Sequence, residues 1–234
     1  MIIYNNEQRG VFYMSNRKKQ KIVKFLEIEQ IKDFEQPIVE KVKNVLSKTE
    51  EITTMEKIAI RDFAVISLVY ACALRISEAT KLQKHHINLI KKEMTVFDGK
   101  GGDRIVPIPE PIIKALKEWE KVRPEWKNNP YYFTNVKGTT RPGKIRPMTT
   151  KYYNQLFDKL AKASGVTLND GNKPHPHTLR HSRAMELFDN HTDLEVIQQF
   201  LGHRNLSTTQ VYAQVRHSRV VEAQQTALKG LVTI

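Results

Sequence analysis

The sequence predicts a mainly α-helical fold with one small antiparallel β-sheet. A hydroxyl residue followed three positions later by Glu or Gln recurs ahead of apolar stretches, and this capping-box pattern marks helix starts. Two short β-type runs flank a glycine-containing turn, residues 98–103, which is typical of a hairpin. At 234 residues and 40% hydrophobic, the chain can bury the core of one large domain and carry an additional arm.

The first long helix is predicted from a capping box. The helical pattern begins near Phe25, and Thr53 with Glu56 starts an apolar helix that we expect to end at Leu74. The apolar run over residues 63–74 is shorter than the roughly 20 residues that span a bilayer, so we expect a buried helix. The N-terminus also lacks the apolar core of a signal peptide, and we expect no membrane partner.

The strands and the remaining helices follow from local signals. Strands are predicted over residues 94–97 and 105–108, with glycines in the turn between them. A weaker amphipathic helix is predicted over residues 220–232. The other helices are predicted to start at Pro111, Thr149 or Thr150, Thr178, Thr192 and Ser207, with ends at Gly165, Phe188 and Gly202.

The charge balance points to a polyanionic partner. Lys and Arg number 38 against 25 Asp and Glu, a net charge of +13, which favours nucleic acid or an anionic membrane surface. Residues 1–24 contain a basic stretch with few apolar residues, which predicts a flexible arm that is either solvated or in contact with phosphates. The single cysteine, Cys72, excludes an intramolecular disulfide and favours a cytoplasmic protein.

Two basic positions are candidates for anion binding. Arg75 follows the apolar run, where a buried guanidinium needs an anionic partner, either a ligand or Glu78. If Thr178 caps its helix, Arg180 lies in the first turn, where free N–H groups favour an anion, and His177 lies beside it. Packing or capping histidines are the alternative interpretation.

Three further positions are ambiguous when each is taken alone. Lys100 lies at the predicted hairpin tip, where a lysine is usually only solvated. His203 follows the predicted helix end at Gly202. Tyr212 lies on a predicted helix, where a tyrosine is usually part of the core or of an interface.

In this order, these positions resemble the active site of the tyrosine recombinase, or phage integrase, family. The matching segments read ALRISE, DGKGGDRIVPIP, HPHTLRH and LGHRNLSTTQVYAQV, and the likeness extends over about residues 25–230. It is greatest to Xer-type and to phage or transposon integrases. The resemblance implies the catalytic-domain fold of that family over residues 25–217, followed by a helical tail over residues 218–234 that docks on a neighbouring protomer or on its own domain.

The resemblance also implies the chemistry. Such a protein is a site-specific recombinase that cuts and rejoins DNA through a 3′-phosphotyrosyl intermediate, without a metal ion, ATP or another cofactor. The implied catalytic residues are Arg75, Lys100, His177, Arg180, His203 and Tyr212. Tyr212 is the implied nucleophile, Lys100 the general acid for the leaving 5′-oxygen, and His177 an aid to proton transfer. The two arginines and His203 bind the phosphate, while Glu78 and His181 match the family as supporting residues.

The implied partner is double-stranded DNA. Recombination between two sites needs four protomers, so a homotetramer is expected on paired sites, and charge repulsion predicts a monomer in free solution. Family members usually carry an N-terminal domain that clamps DNA from the opposite side. Residues 1–24 are too short for that domain, which predicts either a recombinase that consists of the catalytic domain or a fragment of a longer one.

Three alternatives come from other classes. The first is a zinc hydrolase using His175, His177, His181 and His203, although the neighbouring arginines oppose a cation there. The second is a DNA-binding relative without catalytic activity. The third is an enzyme that relaxes DNA, like the type IB topoisomerases, which share the tyrosine chemistry.

Overall fold

The computed structural model describes residues 23–97, 102–137, 146–203, 209–210 and 212–213. Within these ranges the chain is mainly helical with one three-stranded antiparallel sheet, which confirms the predicted fold class. The elements in chain order are α1 Ile28–Leu46, α2 Thr54–Ala71, α3 Ile76–Lys81, a 3₁₀ turn Lys84–His86, β1 Ile87–Asn88, β2 Glu93–Val96, β3 Arg104–Pro107, α4 Glu110–Val122, α5 Thr150–Ser164, α6 Pro176–Asp189 and α7 Leu194–Leu201.

The three strands lie in the order β1–β2–β3. The β2–β3 pair is the predicted hairpin, with Val96 opposite Arg104 and Thr95 opposite Ile105. Strand β1 was not predicted, because its two residues are too few to show an alternating pattern. The turn residues 98–101, and Lys100 with them, lie outside the described residues.

The capping signals of α2 and α5 are confirmed. The Thr53 hydroxyl accepts a hydrogen bond from the Glu56 N–H, and Thr149 caps α5 in the same way. Gly165 ends α5 with a φ of 72°, in the left-handed region that favours glycine. The predicted end of α2 at Leu74 is wrong: the helix ends at Ala71, because the chain turns at Ala73, which has a φ of 48°.

Three predicted helix starts are also wrong. Helix α4 begins at Glu110, with Pro109 as its N-cap, rather than at Pro111. Helix α6 begins at Pro176, with His175 as its N-cap, so Thr178 lies inside the first turn. The Thr178 hydroxyl instead accepts a hydrogen bond from the His175 N–H. Helix α7 is capped by Asp193 rather than by Thr192, although Gly202 ends the helix as predicted, with a φ of 66°.

A second, smaller apolar cluster lies beside the main core. It contains Tyr212, with Ala73, Ala184, Met185, Ile197 and Leu201. Val23 and Phe25 pack against this cluster, and the Leu26 N–H donates to the Ser182 hydroxyl at 2.8 Å. Lys24 pairs with Asp170. Of the last two residues of the predicted flexible arm, Val23 is therefore packed and Lys24 is ion-paired at the surface. Residues 1–22, the predicted helix start at Ser207 and the predicted helix over residues 220–232 lie outside the described ranges.

Candidate active site

Arg75 lies at the turn between α2 and α3, where it is the N-cap of α3. Its backbone N–H donates to one Glu78 oxygen at 2.8 Å, and its Nη1 donates to the other at 2.7 Å. The side chain of Arg75 is 30% exposed, whereas that of Glu78 is 5% exposed. The ion pair considered as an alternative is therefore present, and it holds a guanidinium that still reaches the protein surface.

Arg180 lies in α6 and is 3% exposed. Its Nη1 donates to the Ala73 carbonyl at 2.6 Å and its Nη2 donates to the Leu201 carbonyl at 2.5 Å. Because α6 starts at Pro176, Arg180 lies beyond the first turn, and the predicted help from the helix N-terminus is wrong. Burial, together with the charge of Arg75, lowers the pKa of Arg180 to about 10.

Arg104 is a site residue that the sequence analysis missed. Its Nη1 and Nη2 donate to the two oxygens of Glu78 at 3.1 and 3.0 Å, and its Nε donates to the Phe200 carbonyl at 3.1 Å. Glu78 therefore contacts three guanidinium groups, since Arg180 Nη1 lies 3.9 Å from its Oε2. Burial opposes ionisation of this carboxyl, but the hydrogen bonds and charge of Arg104 lower its pKa overall.

Tyr212 is 1% exposed and its hydroxyl lies 2.9 Å from Nδ1 of His181. Burial raises the pKa of Tyr212 to about 12, against the opposing charge of Arg180. Burial, followed by the charges of His177 and Arg180, lowers the pKa of His181 to about 4. At neutral pH a neutral phenol thus faces a neutral imidazole. The sequence analysis predicted only a supporting role for His181, whereas its ring directly contacts Tyr212.

His203 follows the left-handed turn that ends α7. Gln198 holds this turn, because its backbone carbonyl accepts from the His203 N–H at 3.0 Å and its side-chain amide donates to the His203 carbonyl at 2.9 Å. The Nδ1 of His203 lies 3.1 Å from the Thr209 hydroxyl. Burial and the charges of Arg180 and Arg75 lower the pKa of His203 to about 4. A concavity between the hairpin base and α7 is lined by Arg104, Gly202 and His203.

Four of the six predicted site residues are thus linked in the structure: Arg75 and Arg180 share Glu78, the charges of both act on the pKa of His203, and the charge of Arg180 acts on the pKa of Tyr212. His177 is exposed in the first turn of α6, and its charge acts on His181. Lys100 lies outside the described residues. In the described ranges, no three His, Cys, Asp or Glu side chains are placed to hold a metal ion, and no helix there is long and apolar enough to cross a bilayer.

Comparison with known proteins decides the family. A family model described as "Phage integrase family" matches residues 38–219, a range that contains all the site residues described above. The chain belongs to the phage integrase family. Within this family it is 34% identical over 187 residues to tyrosine recombinase XerA of Pyrococcus furiosus, covering 77% of this chain and 61% of that protein.

Solved structures share the fold of this phage integrase family member. A crystal structure of XerA recombinase matches with a TM-score of 0.65 and 23% identity, over 90% of this chain and 66% of that one. A post-cleavage complex of the XerH site-specific recombinase with its palindromic difH substrate also has a TM-score of 0.65, with 22% identity over 87% of this chain and 53% of that one. The chain spans from 52% to 61% of the length of the first three curated relatives.

Proposed function

We propose that this phage integrase family member is a site-specific recombinase that cuts and rejoins double-stranded DNA through a 3′-phosphotyrosyl intermediate. The observation that carries the proposal is the contact of Tyr212 with His181, beside the cationic group around Glu78. A phenol is a poor nucleophile until it loses its proton, and here an imidazole nitrogen lies within hydrogen-bonding distance of it.

Arg75 and Arg180 are the proposed ligands of the scissile phosphate. A planar guanidinium matches two phosphate oxygens and stays charged through the neutral range. Three guanidinium groups surround the single carboxylate of Glu78, so the site keeps a net positive charge for the phosphate. His203, held at the turn after α7, is the proposed third ligand, and it donates a hydrogen bond from a neutral ring.

Proton transfers complete the proposed reaction. When the Tyr212 oxygen attacks phosphorus, its proton passes to Nδ1 of His181, and the bond from phosphorus to the 5′-oxygen breaks. Lys100 protonates that leaving 5′-oxygen, and His177 aids proton transfer at the phosphate. The phosphotyrosyl bond keeps the energy of the phosphodiester, so rejoining by the reverse reaction needs no ATP, and no step of the proposal uses a metal ion.

The burial of Tyr212 implies a conformational step before cleavage. At 1% exposure Tyr212 is almost inaccessible to a DNA phosphate, and it packs among the apolar residues of the second cluster. DNA binding must therefore move Tyr212 relative to α6 or open the cluster. Among the described residues this cluster buries far fewer side chains than the main core, so we expect its local opening to cost less free energy than unfolding of that core.

The proposed assembly is a homotetramer on two paired DNA sites, formed from protomers that repel each other in free solution. The net charge of +13 supports this order of events, because DNA phosphates neutralise the charge and bring protomers together. Residues 1–24 as a basic arm and residues 218–234 as a tail that docks in trans complete the proposal, with residues 25–217 as the catalytic domain. The cytoplasm, where DNA is accessible, is the proposed location.

Relaxation of supercoiled DNA is the alternative activity, since it needs the same Tyr212 cleavage on a single site, but the relatives named above are recombinases and do not favour it. Incubation with two sites on one plasmid separates the two activities. A recombinase yields exchanged or inverted segments, whereas a relaxing enzyme changes only the linking number.

The proposal is tested with a library of short suicide duplexes that carry nicks and random inverted repeats, because the target sequence is not known. The 234-residue chain is expected to form a covalent adduct that survives a denaturing gel, and sequencing of the trapped DNA gives the preferred duplex. Tyr212→Phe is expected to bind this duplex and form no adduct, because only the phenolic oxygen is lost. A wild-type chain that traps no DNA, or a Tyr212→Phe variant that traps it equally well, would contradict the proposal.

A further inference from the structure

We infer that Arg104 is a positioning residue that keeps Arg75 and Arg180 available for the phosphate and fixes the turn that carries His203. The inference rests on the proposed function. It concerns a residue that neither the motifs nor the comparisons single out.

The first observation is that Arg104 shares the carboxylate of Glu78 with Arg75 and Arg180. Both terminal nitrogens of Arg104 contact the two carboxylate oxygens, at 3.1 and 3.0 Å, in the fork geometry that guanidinium and carboxylate groups favour. The side chain is 9% exposed, so this pair lies away from solvent. A buried carboxylate without that partner would draw its charge compensation from Arg75 and Arg180, which would lower the positive potential that the phosphate meets.

The second observation is the contact of Arg104 with the end of α7. Its Nε donates to the Phe200 carbonyl at 3.1 Å, and that carbonyl lies three residues before His203. One guanidinium therefore joins strand β3, helix α3 through Glu78, and the C-terminal end of α7.

The third observation is Gly202, which packs directly on this guanidinium. A Cβ at Gly202 would lie 2.9 Å from Arg104 Nη1 and 3.1 Å from its Cδ. The clashing atoms belong to a flexible side chain, so a side chain at this position would push Arg104 away from Glu78, in addition to the backbone strain that any side chain has at a φ of +66°. Gly202 thus gives a way to displace Arg104 without removing any charge.

The experiment measures single-turnover adduct formation at saturating preferred duplex, together with the Kd for the same duplex. Arg104→Ala is expected to slow cleavage by about 100-fold, the usual cost of displacing catalytic groups by about 1 Å. The Kd should change much less than the cleavage rate, because the Arg104 side chain is 9% exposed and has little surface with which to contact DNA. Arg104→Lys should recover only a small part of the rate, since one ammonium cannot replace three directed N–H donors. Lys92→Gln is the matched control, because it removes an exposed charge, paired with Glu110, from the turn between β1 and β2.

A double-mutant cycle with Gly202→Ala separates positioning from a loss of folding. Alanine at a φ of +66° is strained in every background, and this cost cancels in the cycle. We expect Gly202→Ala to slow the wild-type chain by a much larger factor than it slows the Arg104→Ala variant. Equal factors in both backgrounds, or an Arg104→Ala variant that cleaves at the wild-type rate, would overturn the inference and leave the proposed function intact. A wild-type chain that forms no adduct would overturn the proposed function itself.

Discussion

Replacement of His181 by asparagine tests how the nucleophile is activated. An asparagine amide places a polar atom close to where Nδ1 of His181 lies, 2.9 Å from the Tyr212 hydroxyl, and it accepts a hydrogen bond there. An amide does not take up a proton at neutral pH, however. His181→Asn therefore keeps the contact and removes the base.

The expected magnitude follows from the two pKa values. The pKa of His181 is lowered to about 4, so its ring is neutral and able to accept a proton throughout pH 6 to 9. The pKa of Tyr212 is raised to about 12, so roughly 10⁻⁵ of the phenol is ionised at pH 7. With His181 present the cleavage rate should be nearly constant over this range. Without it, reaction depends on ionised phenol, and the rate should rise about tenfold per pH unit.

The assay is the single-turnover rate of adduct formation on the preferred duplex at saturating protein, measured from pH 6 to pH 9. At pH 7 we expect His181→Asn to be slower than the wild-type chain by about 10², the lower end of the usual contribution of a general base, because a pKa of about 4 makes His181 a weak base at this pH. His191→Asn is the matched control, because His191 is exposed outside the site and its φ of 59° suits asparagine. A flat profile at the wild-type rate in His181→Asn would refute this account of activation.

Three further outcomes are expected. Arg180→Lys should cleave slower than the wild-type chain by about 10² or more, because a point charge cannot replace a fork that also holds the carbonyls of Ala73 and Leu201; wild-type cleavage would contradict the clamp. Deletion of residues 1–22, which spares the packed Val23, should weaken DNA binding and flatten its log–log salt dependence by about 0.9 for each lost phosphate contact. A variant with Gln at positions 17, 18, 19 and 21 removes four positive charges of this segment without shortening the chain, and serves as the control. An unchanged slope of the salt dependence after the deletion would mean that the arm is only solvated. Deletion of residues 218–234 should spare cleavage of a single nicked site and abolish exchange between two sites; equal loss of both would mean that the tail belongs to the protomer's own core.

The parts of the fold that sequence predicted well depend on local chemistry. Thr149 and Gly165 bound α5 because a cap and a left-handed glycine act within one helical turn. The start of α6 was misplaced because Thr178 has the composition of a cap, whereas Pro176 and His175 set the real boundary. The end of α2 was misplaced because the left-handed turn at Ala73 is not signalled by a glycine, and its carbonyl accepts from the distant Arg180.

The site was only partly predictable because contacts between residues that are distant in the sequence leave no local signal. Arg75 and Tyr212 stand in recognisable segments, so the resemblance located them. Arg104 stands in an equally recognisable segment, but its role depends on contacts with Glu78 and with a carbonyl 96 residues away. The approach of His181 to Tyr212 likewise depends on how α6 packs against the second apolar cluster, and no spacing in the sequence encodes that distance.

The central claim is that Tyr212 becomes covalently bound to a DNA 3′-phosphate, and mass spectrometry of the trapped adduct tests it most directly. After nuclease and trypsin digestion, cleavage at Arg204 and Arg216 releases residues 205–216, NLSTTQVYAQVR, in which Tyr212 is the only tyrosine. We expect this peptide to carry the nucleotide remnant through a phosphotyrosine bond, with a free 5′-hydroxyl on the released DNA strand. A remnant on any other peptide, or a 5′-phosphate on the released strand, would contradict the account.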